Sequence, residues 1–190
     1  MSNRNILILN GSPRKEGNTA ALAEQLANGV QAAGARTQIM YLHGMDINPC
    51  TACEGCHQEG SSGCVIDDEM RKIYDGLLEA DAVVFATPVY WFSVTAQIKT
   101  VIDRLYAVGV GDGNILKGKA VAILMPYADA DPYVSGAVNA LRMFQDISGY
   151  LGTKMAGMVY GTAYEAGEIR KDKPLMDKAF QLGKELAGKG

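Results

Sequence analysis

Short apolar runs alternate with apolar stripes at helical spacing along most of the chain. Residues 5–10, NILILN, form a continuous run that fits a strand buried on both faces. In the adjoining GNTAALAEQLANGVQAAG, Leu22, Leu26 and Val30 recur at every fourth position, flanked by Ala23 and Ala27. That spacing predicts an amphipathic helix with Asn18 or Thr19 as its N-cap and Gly34 as its stop. Residues 37–42, TQIMYL, read as a second strand. Met70, Ile73, Tyr74, Leu77 and Leu78 then share a helical face. Asp67 suits the cap of that helix, with Asp68 and Glu69 on the positive end of its dipole. AVVFA at 82–86 is a third buried strand, followed by a helix capped by Ser93 and carrying Ile98, Ile102 and Leu105. AVAILM at 120–125 is a fourth strand. Val138, Leu141, Phe144 and Ile147 mark the next helix, and MAGMVYG at 155–161 a weaker fifth strand. Pro174 opens a last helix with Leu175, Ala179, Leu182 and Leu186 on one side.

Strands alternating with helices imply a parallel sheet covered on both faces. The element count and right-handed crossovers favour an α/β, doubly wound, flavodoxin-like sheet of order 2-1-3-4-5. The expected organisation is a single domain over residues 1–190, interrupted by a cysteine-rich loop insertion at about 43–66, where neither periodicity is present. In such sheets ligands sit beyond the carboxyl ends of the strands, near the switch point. Attention therefore falls on the loops after strands one, three and four.

Charge narrows the partners. A net charge of −3 leaves no electrostatic footprint for nucleic acid or an anionic membrane. The apolar run at 6–9 is too short for a signal-peptide core, and no stretch approaches a membrane span, so the expected location is cytoplasmic. In that reducing compartment the 4 cysteines point to metal binding or catalysis rather than disulfides.

After strand one stands NGSPRKEGNT. It is glycine-rich, leads into a helix and offers the side chains of Ser12, Asn18 and Thr19 beside backbone amides, with positive charge from Arg14 and Lys15. A helix N-terminus with clustered amides favours a phosphate. A turn with an N-cap and no ligand is the plain alternative. The loop matches neither G-x-x-x-x-G-K-[ST] nor G-x-G-x-x-G. After strand three comes TPVYWFSV, in which Tyr90, Trp91 and Phe92 are consecutive and cannot all face one core. Such a loop either lies along a flat aromatic ligand or simply covers the end of the sheet. Lys99 and Asp103, four apart, form a solvated pair with no assigned chemistry.

GSPRKEGNT and TPVYWFSVTAQIKTVIDR, in this order and at this distance, resemble the NAD(P)H-dependent FMN reductase family of flavodoxin-like proteins. The resemblance implies FMN, with Ser12, Arg14, Asn18 and Thr19 around its phosphate. It implies Pro88, Val89, Tyr90, Trp91 and Phe92 at the isoalloxazine, with Pro126, Tyr127 and Ala128 nearby, and NAD(P)H as co-substrate. The PYADAD segment lacks the glycines many relatives carry there.

Cys50, Cys53, Cys56 and Cys64 have the spacing C-x2-C-x2-C-x7-C. Three thiolates at x2 intervals can wrap one face of a cuboidal cluster while a fourth arrives from further on, as in ferredoxins. Structural zinc more often uses two separated C-x2-C pairs, although His57 offers a substitute ligand. A reactive-thiol or disulfide role stays open, as does the absence of any metal. His43 reads as loop packing, and the methionine-rich fourth and fifth strands as core. Within the family the motif resembles the iron–sulfur flavoproteins. That implies a [4Fe–4S] cluster on these four cysteines, near the flavin, in a homodimer or homotetramer that passes electrons to or from a small molecule or redox protein. The competing expectations are a cluster-free NAD(P)H-dependent quinone, nitro-compound or flavin reductase and a non-enzymatic electron carrier. The chain lacks the [ST]-x-T-G-x-T loop and the strong acidity of such carriers.

Overall fold

The computed structural model describes residues 4–188, so the first three and last two residues of the expected domain lie outside the description. The elements run β1 (Asn5–Asn10), α1 (Asn18–Ala32), β2 (Arg36–Tyr41), α2 (Met70–Glu79), β3 (Ala82–Ala86), α3 (Ala96–Arg104), β4 (Ala120–Tyr127), α4 (Ala137–Leu151), β5 (Lys154–Thr162) and α5 (Lys173–Ala187). The five strands form one parallel sheet of order β2-β1-β3-β4-β5, the flavodoxin-like order expected from the sequence. No described helix is long and apolar enough to cross a membrane.

Alternation along β1 divides the core in two. Ile6 and Ile8 face a cluster with Leu22, Leu26, Ala179 and Leu182 of α1 and α5. Leu7 and Leu9 face the opposite cluster with Ile73, Ile98, Val101 and Phe144 of α2, α3 and α4. Every residue of β3 is buried, whereas the edge strands β2 and β5 have mostly half-buried or exposed positions. This explains why the fifth strand has the weaker apolar signal. Backbones of α1 and α5 meet directly. A Cβ at Gly29 would collide with the Phe180 carbonyl, and one at Gly183 with the Leu26 carbonyl.

Several cap and face assignments differ from expectation. The N-cap of α1 is Gly17, because the Asn18 side chain is used elsewhere. Thr95, not Ser93, caps α3, its hydroxyl accepting from the Ile98 N–H at 3.4 Å, while Ser93 closes a turn with Tyr90. Glu69 precedes α2 without capping it, and Asp67 instead pairs with Arg71 at 2.8 Å. Leu78 points outward and is exposed, so the buried face of α2 is narrower than its apolar pattern.

A cleft at the carboxyl edge of the sheet

The loops after β1, β3, β4 and β5 converge on one cleft of about 510 Å³. The first loop is built around the fully buried Asn10, whose Oδ1 accepts from the Ser12 N–H at 2.9 Å. The Ser12 hydroxyl in turn accepts from the Arg14 N–H at 3.1 Å, which folds Arg14 back over the entrance of α1. No side chain caps α1 and no acidic residue occupies its first turn. Its leading N–H groups thus present partial positive charge to the cleft beside the exposed Arg14 guanidinium.

Asn18 has a different part from the one its position suggested. Its Nδ2 donates to the carbonyls of Ala163 (3.2 Å) and Glu165 (2.9 Å), and its Oδ1 accepts from the Ile169 N–H at 3.2 Å. The side chain is consumed in stitching α1 to the loop after β5, leaving only its backbone N–H for a ligand. Thr19 is almost fully buried at the second helical position.

The second wall comes from β3 and β4. Thr87 donates to the Pro88 carbonyl at 2.9 Å and accepts from the Thr95 N–H at 3.2 Å, bracing both ends of the aromatic loop. The Val89 N–H is taken by the Pro126 carbonyl at 3.2 Å. Pro88, Val89, Tyr90, Pro126, the buried Tyr127 and Ala128 all line the cleft. Tyr90 and Ser93 exchange backbone hydrogen bonds across a two-residue turn, in which Trp91 and Phe92 have φ of 47° and 62°. Positive φ at both central positions is normally served by Asn-Gly, so two bulky residues there are strained. Phe92 sits over Gly136, whose own φ of 76° and missing Cβ make the contact feasible. Trp91 projects into solvent at 93% exposure. Both rings line a smaller adjoining hollow with Asp129 and Ser135, rather than the main cleft, the two spaces sharing Val89 and Ala128.

Ser12, Arg14, Asn18, Thr19, Pro88, Val89, Tyr90 and Tyr127 therefore meet in one place, with Trp91 and Phe92 at its rim. Ala163, Tyr164 and Glu165 complete the cleft. Sequence reasoning overlooked them, although the rule that ligands sit beyond the carboxyl ends of strands applies equally to β5.

The cysteines occupy the long connection between β2 and α2, which holds only a 3-10 turn at Gly55–His57. All four thiols are unpaired and at least partly accessible. Hydrogen bonds from the Gly55 N–H and the Thr51 hydroxyl hold the Cys53 thiol below its ordinary value, while burial pushes Cys56 up. Ala52 and Glu54, on either side of Cys53, are left-handed, with φ of 52° and 57°. The Ala52 N–H points at the Cys50 sulfur at 3.5 Å. Amides turned inward by left-handed residues suit an anionic centre such as an iron–sulfur cluster. Among the described residues no three His, Cys, Asp or Glu side chains converge as ligands of one metal ion. Zinc–thiolate bonds of about 2.3 Å would hold sulfurs within about 4 Å of one another. A cuboidal cluster attaches each thiolate to a different iron, so its ligands stand further apart. The soft thiolate donor set suits an iron–sulfur cluster or zinc rather than a hard ion. His57 is engaged with the Tyr106 carbonyl at 3.0 Å, and the exposed His43 lies 3.4 Å from Gln97.

The strand order and a cleft walled by an uncapped helix, a proline-bounded aromatic loop and the ends of β4 and β5 define the flavodoxin-like class of α/β proteins. More narrowly, the chain belongs to the NADPH-dependent FMN reductase family, an oxidoreductase family, whose sequence profile matches residues 4–161. An iron–sulfur flavoprotein of Archaeoglobus fulgidus is 30% identical over 184 residues, covering 93% of this chain and 76% of the relative. One from Methanocaldococcus jannaschii is 35% identical over 106 residues, or 56% of this chain, and the match spans only 54% of that relative's length. Among solved structures, the NAD(P)H:quinone oxidoreductase of Methanothermobacter marburgensis superposes with a TM-score of 0.77 at 18% identity. That alignment covers 99% of this chain and 98% of the other, a likeness of fold.

Proposed function

We propose that this protein is an FMN-dependent oxidoreductase that takes electrons from NAD(P)H or a reduced carrier and exchanges them with a [4Fe–4S] cluster held by Cys50, Cys53, Cys56 and Cys64. The observation that carries the reading is the joining of an uncapped helix N-terminus and an aromatic, amide-bearing loop in a single cleft of flavin-nucleotide size. When bound, FMN supplies a ring that accepts a hydride and releases electrons singly, which matches a two-electron donor to a one-electron centre.

The protein's part is binding and orientation. The first-turn amides of α1 and the Arg14 guanidinium would hold the phosphate, with Ser12 and Thr19 shaping its seat. Asn18 secures the β5 loop as the far wall. Pro88, Val89 and Tyr90 would line the seat of the ring, with the Trp91–Phe92 turn at its rim. Tyr127 would contribute to the same wall from the end of β4. The exposed aromatics Trp91, Tyr133 and Tyr164 support a homo-oligomer in which the cleft is covered further. Hydride acceptance by a flavin needs no proton-transfer dyad from the protein.

Anaerobic stopped-flow mixing with NADPH and NADH tests the enzyme reading, the expected outcome being bleaching of the bound flavin within the turnover time. A flavin that neither nucleotide reduces would leave a carrier instead. A cluster-free quinone or nitro-compound reductase is the second reading, favoured by the accessibility of all four thiols. Iron and acid-labile sulfide assays on protein isolated without oxygen separate the two: about four of each per chain supports the cluster, and neither supports the second reading.

A further inference from the structure

Beyond the buried Leu42, the connection between β2 and α2 has little apolar anchoring of its own. Met45 and Ile47 pack against the core only partly, and Val65 is exposed. Arg104, the last residue of α3, and Tyr106, in the turn that follows, meet it at three places. The Arg104 guanidinium, 1% exposed, donates from Nη1 to the Asn48 carbonyl at 2.7 Å and approaches the Ile66 carbonyl from Nη2 at 3.5 Å. Those carbonyls lie just before Cys50 and just after Cys64. The fully buried Asp68 carboxylate receives both guanidinium nitrogens, at 2.8 and 3.2 Å, and also accepts the Asn48 and Met70 N–H groups. One planar fork thus closes both roots of the loop. Two residues on, Tyr106 holds the tip. Its hydroxyl donates to Glu54 at 3.0 Å, its carbonyl meets His57 Nε2 at 3.0 Å, and its ring packs edge-on against the His57 ring at 4.5 Å. Glu54 and His57 bracket Cys56 and adjoin the inward-turned segment around Cys53.

We propose that Arg104 and Tyr106 are positioning residues that fix the roots and the tip of the cysteine loop before any iron arrives. The inference rests on the reading of the four cysteines as the cluster site, and goes beyond it by assigning residues outside the motif the task of preorganising it. Supporting residues of this kind commonly set metal affinity without touching the metal. Helix α3, capped by Thr95 three residues after Phe92, packs its Ile98 against Gly11 of the first loop. One rigid element therefore also fixes the distance between the cleft and the cysteines.

The test is reconstitution of FMN-loaded, metal-stripped protein with ferrous iron and sulfide under anaerobic, reducing conditions. Wild type, Arg104→Lys, Tyr106→Ala and Tyr106→Phe are compared for iron and sulfide bound per chain, FMN affinity and melting temperature. Arg104→Lys keeps the charge but loses the fork, and Tyr106→Ala keeps the carbonyl but loses the ring against His57 and the hydroxyl bond to Glu54. Each should take up cluster with an affinity reduced by roughly tenfold or more at unchanged FMN affinity. Tyr106→Phe, which loses the Glu54 bond but keeps the ring against His57, should stay within about threefold of wild type. Should Arg104→Lys fail to hold FMN, the exposed-site Tyr106 pair decides the outcome. Equal loading by wild type and Tyr106→Ala overturns the clamp alone. A wild type that binds no iron and sulfide overturns the cluster reading and the clamp with it.

Discussion

Replacing Asn18 by alanine separates a wall-building role from a ligand-contacting one. The side chain makes three hydrogen bonds, two to carbonyls of the β5 loop and one from the Ile169 N–H. Such bonds contribute about 1 kcal/mol each, the one to Glu165 being exposed and worth less. Alanine at the first helical position returns about half a kcal/mol in propensity. The net loss is about 2 kcal/mol, which for a chain of this size lowers the melting temperature by about 4–8 °C. The assay is thermal unfolding of the flavin-free chain by circular dichroism, paired with FMN titration. Asn18→Ala should melt early without ligand and bind FMN severalfold more weakly because its far wall loosens. An unchanged melting temperature together with abolished FMN binding would refute the reasoning, since the amide would then act on the ligand directly.

Arg14→Ala should show the reverse pattern: the exposed side chain contributes little to the empty fold, while loss of its charge weakens FMN by about 1–2 kcal/mol, roughly tenfold in Kd. Trp91→Asn should raise stability by about 1 kcal/mol in urea unfolding, because asparagine tolerates the left-handed backbone and the exposed indole gives up no packing. Burial alone would raise the Asp68 carboxyl, but hydrogen bonds from Arg104 and from the Asn48 and Met70 N–H groups outweigh it and hold it at about 2, against an ordinary 3.8. A depressed folded-state value contributes stability that is complete above the unfolded value and lost as pH falls through the folded one, here about 2 kcal/mol between about pH 4 and pH 2. In cofactor-free chains the stability gap between wild type and Asp68→Asn should therefore narrow as pH drops through that window, and a constant gap would contradict the assignment.

The sheet was legible because its central strands are buried on both faces. Residues 5–10 and 82–86 are apolar runs with one reading, and their ends match β1 and β3. What sequence patterns miss is competition for side chains by distant partners. Asn18 suits an N-cap locally, yet a loop about 145 positions away claims it. Ser93 suits a cap too, yet the Trp91–Phe92 turn consumes its backbone and the cap passes to Thr95. That turn is itself unreadable from propensity, since neither residue favours positive φ. Nothing in its local sequence singles out Arg104. Only the fold brings Asp68, 36 positions earlier, to neutralise it in a buried site. The converging loops at the cleft obey a topological rule and were visible for β1, β3 and β4, whereas β5 carried no motif to draw attention to its end.

Comparative titration of the flavin-free protein with FMN and riboflavin probes the phosphate seat at α1 most directly. The two ligands share the ring and differ in the phosphate. With two or more charge-assisted hydrogen bonds from the α1 amides and Arg14, FMN should bind more tightly by at least about 3 kcal/mol, roughly a hundredfold in Kd. Equal affinity for the two, or binding of neither, would contradict the placement of a flavin phosphate at the first turn of α1.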